Sequence, residues 1–241
     1  MYAMEGKRKI ALIFSNVEFR YNRLPSRKGG KKDAEDLRTA LQKLKFDVTL
    51  LENPSYKKIH DELLTLSKED HEDLGCLIVV AMTHGDADQL EAFDKTYSTH
   101  ALWNFFVDDC PSLNENQAGD IIGSKTDSVK MGPPNQMTGS VFRPLKAIPT
   151  TPDLLVMYAS IDGFVSWRNE ADGSCFIQSL CAELNANGNK KELLQMLTIV
   201  SRMVAYHFKY YYKSADSMEK MCSKQMTCFE STLTKQLYLA S

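Results

Sequence analysis

Three short apolar runs, separated by two amphipathic stretches, do most to restrict how this chain can fold. Ile10 to Phe14 and Cys76 to Met82 are almost continuously apolar, and Phe46 to Leu51 is a second run between them. Short runs of this kind are the mark of strands buried on both faces. Between the first two, residues 33–45 carry Ala34, Leu37, Leu41 and Leu44 at spacings of three and four, one stripe of a helix. Pro54-Ser55 opens a second helix, with Ser55 at the N-cap and Ile59, Leu63 and Leu66 on its inward stripe. Strand, helix, strand, helix, strand predicts an α/β fold: a parallel sheet covered by helices. Chemistry in such sheets gathers at the carboxyl ends of the strands. His84 stands just past the third strand, so position and residue type both make it a candidate.

The remainder of the chain is less uniform. A further helix is expected over about Thr99 to Val107, with Leu102, Phe105 and Phe106 turned inward. From Asn114 to Ala147 the periodicity dissolves among Gly119, Gly123, Gly132, Pro133, Pro134, Gly139 and Pro144, as in a loop or linker. Leu154 to Ala159 then reads as a strand, and Ser174 to Leu184 as a helix. A longer helix is expected from Lys191 to about Phe208, with Leu193, Leu197, Val200 and Val204 in register. The tail offers two strand-like pieces, Met226 to Leu233 and Gln236 to Leu239.

Composition excludes several classes of function. A net charge of −2 gives no general pull toward nucleic acid or an anionic membrane. No apolar run reaches the roughly 20 residues a membrane span needs. Met1 to Lys9 is too short and polar for a signal peptide. The 6 cysteines contain no Cys-x-x-Cys pair and no histidines at zinc spacing, so no metal site and no cofactor is expected. Cys76 and Cys181 fall in apolar runs and read as small hydrophobes, and reduced thiols fit a cytoplasmic protein.

Four short motifs carry the chemical interest. Arg27 lies in Ser26-Arg27-Lys28-Gly29-Gly30, which by spacing alone is a solvated basic loop. It is not a phosphate loop, because Gly30-Lys31 is followed by Lys32 rather than Ser or Thr. Met82-Thr83-His84-Gly85, Gln117-Ala118-Gly119-Asp120 and Gly163-Phe164-Val165-Ser166-Trp167-Arg168-Asn169 complete the set. Together with Lys224 to Leu239, these resemble the caspase family, and the likeness runs from Ile10 to Leu239. Residues 176–188 look most like its insect effector branch.

The resemblance implies a mostly parallel six-stranded sheet with helices on both faces. It also implies a large-subunit-like part (8–120), an intersubunit linker (121–147) and a small-subunit-like part (148–241). His84 matches the general base and Gly85 the oxyanion donor. Arg27, Arg168 and Gln117 match the clamp for a substrate aspartate. Ser166 and Trp167 match the peptide-binding loop, and Asp127, in Thr126-Asp127-Ser128, resembles a processing site. Met226, Cys228, Phe229, Ser231 and Thr232 match the edge through which caspases pair.

One departure decides the functional expectation. The family's Gln-Ala-Cys-x-Gly signature is reduced here to Gln117-Ala118-Gly119, after a stretch too short and polar for the family's central strand. One strand is therefore altered or missing: the sheet closes over the gap, Ile121-Ile122 slides in, or the region stays loose. A fold weaker than that of active relatives is expected. Without a thiolate no acyl-enzyme forms. The resemblance then implies a catalytically dead homologue that regulates an active paralogous caspase in apoptosis by heterodimerisation, or that pairs with itself. The alternatives are a decoy that holds aspartate-containing substrates or inhibitors uncleaved, and residual proteolysis by another nucleophile.

Overall fold

The computed structural model describes residues 1–86, 88–107, 121–126, 152–161, 164–213 and 220–240, with residues 107, 121–126, 212–213 and 220–221 as backbone. Its first half alternates as the periodicity requires. Strand β1 (Arg8–Ser15) leads to α1 (Gly30–Lys43), β2 (Asp47–Glu52), α2 (Tyr56–Ser67) and β3 (Leu74–Met82). Ser55 is the N-cap of α2, its side chain accepting from the Lys58 N–H, which satisfies one of the donors a helix start leaves open. A small antiparallel sheet follows, formed by β4 (Gly85–Asp86), β5 (Gln89–Glu91) and β6 (Thr96–Ser98). The helix expected over Thr99 to Val107 is instead a 3-10 turn, Thr99–Leu102, and a separate short α3 (Asn104–Val107). Trp103 breaks the two apart at φ −127° and ψ −14°, which lets its indole reach the core, where it is buried. Leu102 and Phe106 are buried, whereas Phe105 is only half-buried.

The later elements are β7 (Ile121–Thr126), β8 (Leu154–Tyr158), β9 (Arg168–Asn169), β10 (Gly173–Ser174), α4 (Cys175–Asn187), α5 (Leu193–His207), β11 (Tyr210–Lys213), β12 (Lys220–Ser223) and β13 (Cys228–Ser231). The central sheet has six strands in the order β13-β8-β7-β3-β1-β2. Neighbours from β2 to β8 run parallel, and β13 closes one edge antiparallel to β8.

Two expectations are corrected here. The segment 121–147, read as linker, begins with a strand: Ile121 to Thr126 pairs with β3 on one side and β8 on the other. An interior slot left empty would strand the backbone groups of both neighbours at roughly 1–3 kcal/mol per buried unsatisfied group. Pairing by this segment removes that penalty: of the three outcomes expected for the altered strand, it is Ile121-Ile122 that fills the slot. The rest of the expected linker, with Asp127, lies outside the described residues, as do Gln117 and Cys110. In the tail, Gln236 to Leu239 is not a strand. It runs as irregular chain whose Leu237 and Leu239 are buried in the core, and the Leu237 carbonyl accepts from Leu193 N–H at 2.8 Å.

Alternation along the strands divides the core in two. Ala11, Ile13, Ile78, Val80, Leu155 and Met157 face α1, α4 and α5. Leu12, Phe14, Leu77, Val79, Leu154 and Val156 face α2 and α3. Period-two residues therefore feed opposite layers, and the carboxyl ends of β1 and β3 are left at one rim of the sandwich. The site assembles at that rim.

Candidate active-site rim

His84 follows β3 by two residues and is held from three directions. Its Nε2 lies 2.8 Å from the Pro25 carbonyl oxygen. A carbonyl can only accept, so Nε2 is the donor in this bond. The ring packs on Phe19 with centroids 5.1 Å apart. Its backbone carbonyl takes the Glu91 N–H at 3.0 Å, while Thr83 Oγ1 donates to the Glu91 carbonyl at 2.5 Å. Gly85 then starts the small sheet opposite Leu90. His84 is buried, with 6% exposure.

Arg27 is not the solvated loop residue its spacing suggests. It is 1% exposed, and its Nη1 donates to the carbonyls of Asn16 at 3.1 Å and Met82 at 2.9 Å. Those carbonyls sit where β1 and β3 end, and the Met82 carbonyl also takes the Asn16 N–H at 2.9 Å. A guanidinium is the side chain suited to serving several such acceptors at once. The loop is tied in at its backbone too, Arg27 N–H to the Val17 carbonyl at 2.9 Å and Gly30 N–H to the Arg27 carbonyl at 2.9 Å. Arg27 and His84 therefore share one loop, through Pro25, and one strand end, through Met82.

Arg168 reaches the rim from the other half of the chain. Its Nε donates to the Lys28 carbonyl at 2.7 Å, which docks the strand bearing it onto the loop of Arg27. Gly29 makes that approach possible: its φ is +83°, and a Cβ there would sit 2.6 Å from the Asn169 carbonyl oxygen. The two arginine-bearing loops are thus brought into contact.

Behind Arg168, one buried side chain organises several groups. Gln225 Oε1 accepts from Trp167 N–H at 2.6 Å and from Cys175 Sγ at 3.2 Å. Its Nε2 donates to the Ala159 carbonyl at 2.6 Å and reaches Ser166 Oγ at 3.4 Å. The end of β8, the loop of Ser166 and Trp167, and the start of α4 thereby meet on one amide. Ser166 is buried, and Trp167 stacks on Tyr210, centroids 5.2 Å apart and 14° from parallel. Sequence reasoning assigned no site role to Gln225 or Tyr210. A lone glutamine ahead of a strand has no local signature, and Tyr210 opens a run of three tyrosines that only the folded chain distinguishes.

A nucleophile needs a thiol with a lowered pKa. The cysteines at 76, 175 and 181 are buried in β3 and α4. Burial first, then the charges of Asp36 and Asp33, pushes the Cys181 thiol up to about 12. Cys222 is exposed and Cys228 half-buried. Among the described residues no cluster of His, Cys, Asp or Glu could hold a metal ion. No described helix is long and apolar enough to cross a membrane.

The segment expected to pair with another chain lies on β13. Cys228 to Ser231 align with Tyr158 to Leu155, and Thr232 caps the ladder, its N–H on the Leu154 carbonyl at 2.8 Å. Phe229 and Cys228 are half-buried and Ser231 is exposed. Met226, Ile161 and Phe164 are exposed at 45%, 42% and 63%, and Ile161 N–H bonds the Met226 carbonyl at 3.2 Å.

Comparison with known proteins agrees with this architecture. A family model described as "Caspase domain" matches residues 8–238. The chain is 35% identical over 243 residues to caspase drICE of Drosophila melanogaster, covering 98% of this chain and 71% of that protein. It is 33% identical over 241 residues to caspase-1 of Spodoptera frugiperda, covering 98% and 80%. The crystal structure of caspase-1 from Spodoptera frugiperda superposes with a TM-score of 0.80 at 33% identity, covering 99% of this chain and 92% of that one. By fold, by extent of match and by the residues gathered at the rim, this chain belongs to the caspase family.

Proposed function

We propose that this family member does not turn over substrate and acts in apoptosis by pairing with an active paralogous caspase. One observation carries the reading. The Gln117-Ala118-Gly119-Asp120 segment holds no cysteine, and Ile121, which follows it directly, pairs with Leu77 while Thr126 pairs with Met82. Because β3 and β7 are parallel, the chain enters β7 at the end of the sheet opposite His84. Five residues at about 3.3 Å each separate the Leu77 and Met82 levels, roughly 16 Å. The segment leading into β7 therefore holds no thiol, and β7 itself begins at the end of the sheet away from His84. His84, held and oriented, has no sulfur from that segment to activate.

Pairing through β13 fits the remaining surface. The strand lies at a sheet edge beside the exposed Met226, Ile161 and Phe164, and an open edge is a template for another strand. A second reading, an aspartate-binding decoy, draws on the docking of the Arg168 strand against the Arg27 loop. Burial of Arg27 by the carbonyls of Asn16 and Met82 weakens it, because much of that fork is already engaged. In our reading residues 8–120 and 148–241 remain the two parts of one domain.

The purified chain is expected to leave an aspartyl fluorogenic peptide uncleaved. Turnover that disappears in His84→Ala would refute the inactive reading. Co-expression with active caspases of the same source should yield a co-purifying pair and a changed cleavage rate, both lost in Phe229→Asp. Co-purification of neither an active caspase nor a second copy would leave the pairing proposal without support.

A further inference from the structure

At the rim of the sheet opposite His84 lies a cavity of about 450 Å³, bounded by the start of β1, the end of α1, the end of α4 and the chain tail at Ala240. That volume lies in the range of small-ligand pockets. Lys7, Lys9, Lys43 and Lys45 line it, with Met4 and Leu184 among its apolar walls, and among the described residues that line it none is a carboxylate.

The contrast with other cations of the molecule is informative. Arg8, Lys28, Lys32, Lys57, Lys58 and Lys191 each have an aspartate or glutamate within ion-pair reach. Of the four pocket lysines, Lys9 is engaged by main-chain carbonyls, of Leu44 at 2.5 Å and Leu239 at 2.9 Å. Lys43 meets only the neutral Asn185 side chain, at 2.9 Å. Among the described residues, no carboxylate pairs with Lys7, Lys43 or Lys45. A chain of net charge −2 thus concentrates unneutralised positive charge in one concave place, where potentials focus.

A second observation comes from the backbone. Lys45 directly follows the C-cap of α1 and has φ +67°. That is the position where helices commonly end in glycine, which alone adopts it without a Cβ penalty. A lysine is held in this conformation, with its N–H on the Gln42 carbonyl at 3.0 Å, at the mouth of the cavity.

We infer that this pocket binds a small anion carrying two or more phosphate groups, with the ammonium groups of Lys7, Lys43 and Lys45 neutralising it and Lys9 holding the pocket floor. A compact multiply charged anion satisfies several ammonium groups at once, and a concave space of this volume suits a nucleotide-sized molecule better than a flat protein surface. Because the lining comes from both β1–α1 and α4 plus the tail, the bound anion would tie the two parts of the domain together far from the catalytic rim.

The probes are sodium triphosphate and ATP, measured on the whole chain by calorimetric titration and thermal melting. Sodium chloride at matched ionic strength is the control. Binding of either anion with a Kd below about 1 mM and a Tm rise of several degrees is expected. The double variant Lys43→Gln/Lys45→Gly should bind roughly tenfold more weakly or worse. Glycine relaxes the backbone at 45, so the unliganded variant should melt no lower than the parent, which separates lost binding from lost folding. Equal affinity in the variant, a Tm rise reproduced by sodium chloride, or no binding of either anion would overturn the inference.

Discussion

The two walls of the candidate site are built on different principles. On one side, Arg27 and His84 are fixed by main-chain carbonyls at Asn16, Met82 and Pro25, all within one neighbourhood of the sheet. On the other, Ser166, Trp167 and Cys175 converge on a single amide, Gln225, fifty or more residues away in sequence. The first wall is as rigid as the sheet that supplies its acceptors. The second depends on one side chain brought in from the tail. Geometry at the Arg27–His84 wall is therefore insured by the core, and geometry at the Ser166–Trp167 wall by a long-range contact.

The sharpest way to disturb the second wall is at its backing. Gly173 has φ +91°, and a Cβ there would lie 2.1 Å from Asp33 Oδ1, the carboxylate that accepts from Ser174 N–H at 3.0 Å and 2.9 Å. Gly173→Ala is expected to cost about 3–4 kcal/mol, from left-handed strain and disrupted buried bonds, read by denaturant unfolding. Next, Arg27→Ala leaves two strand-end carbonyls without this donor in a closed space, about 3 kcal/mol. It should also shift the imidazole resonances of His84, which Gln225→Ala should leave in place.

Gln225→Ala is expected to cost about 2 kcal/mol and to change Trp167 fluorescence, since the Trp167 backbone loses its anchor. If instead it moves the His84 resonances as strongly as Arg27→Ala does, the two walls are one unit and the comparison fails. Arg168→Ala, at a half-buried residue with one bond to the Lys28 carbonyl, should cost less than about 1 kcal/mol. It should nevertheless weaken any aspartyl-peptide binding.

Acid supplies the smallest test, and one indifferent to both walls. His71 is fully buried ahead of β3, and burial pushes its pKa down. The unfolded chain therefore takes up a proton first, and stability falls as pH drops below about 6.5, the ordinary histidine value. His71→Gln should make the decline of Tm just below that pH shallower. Asp153, which its hydrogen bonds from Tyr2 and Thr234 hold low against the opposing effect of burial, loses its contribution only at lower pH.

Elements with dense local signals were readable in advance. Ala34, Leu37, Leu41 and Leu44 are all buried, and Ser55 caps its helix as expected. What escaped was structure decided by neighbours. Ile121-Ile122 is one of the three outcomes expected for the altered strand, but Gly-Ser-Lys-Thr after it shows no strand period, and only the facing edges of β3 and β8 select it. The hairpin of β11 and β12 was missed because its strands are only 4 residues each. Arg27 illustrates the limit at the site itself: its local sequence is that of a solvated loop, and only the packing of two strand ends makes it the largest fully buried side chain among the described residues.

The amide of Gln225 lies three positions ahead of Cys228, where the edge strand begins. A partner that tugs or straightens that edge by even a fraction of an ångström has a short, taut leash to the tryptophan loop. The molecule thus carries a mechanical route from its outer margin to the Trp167 loop, and the route needs no chemistry at His84 to transmit force.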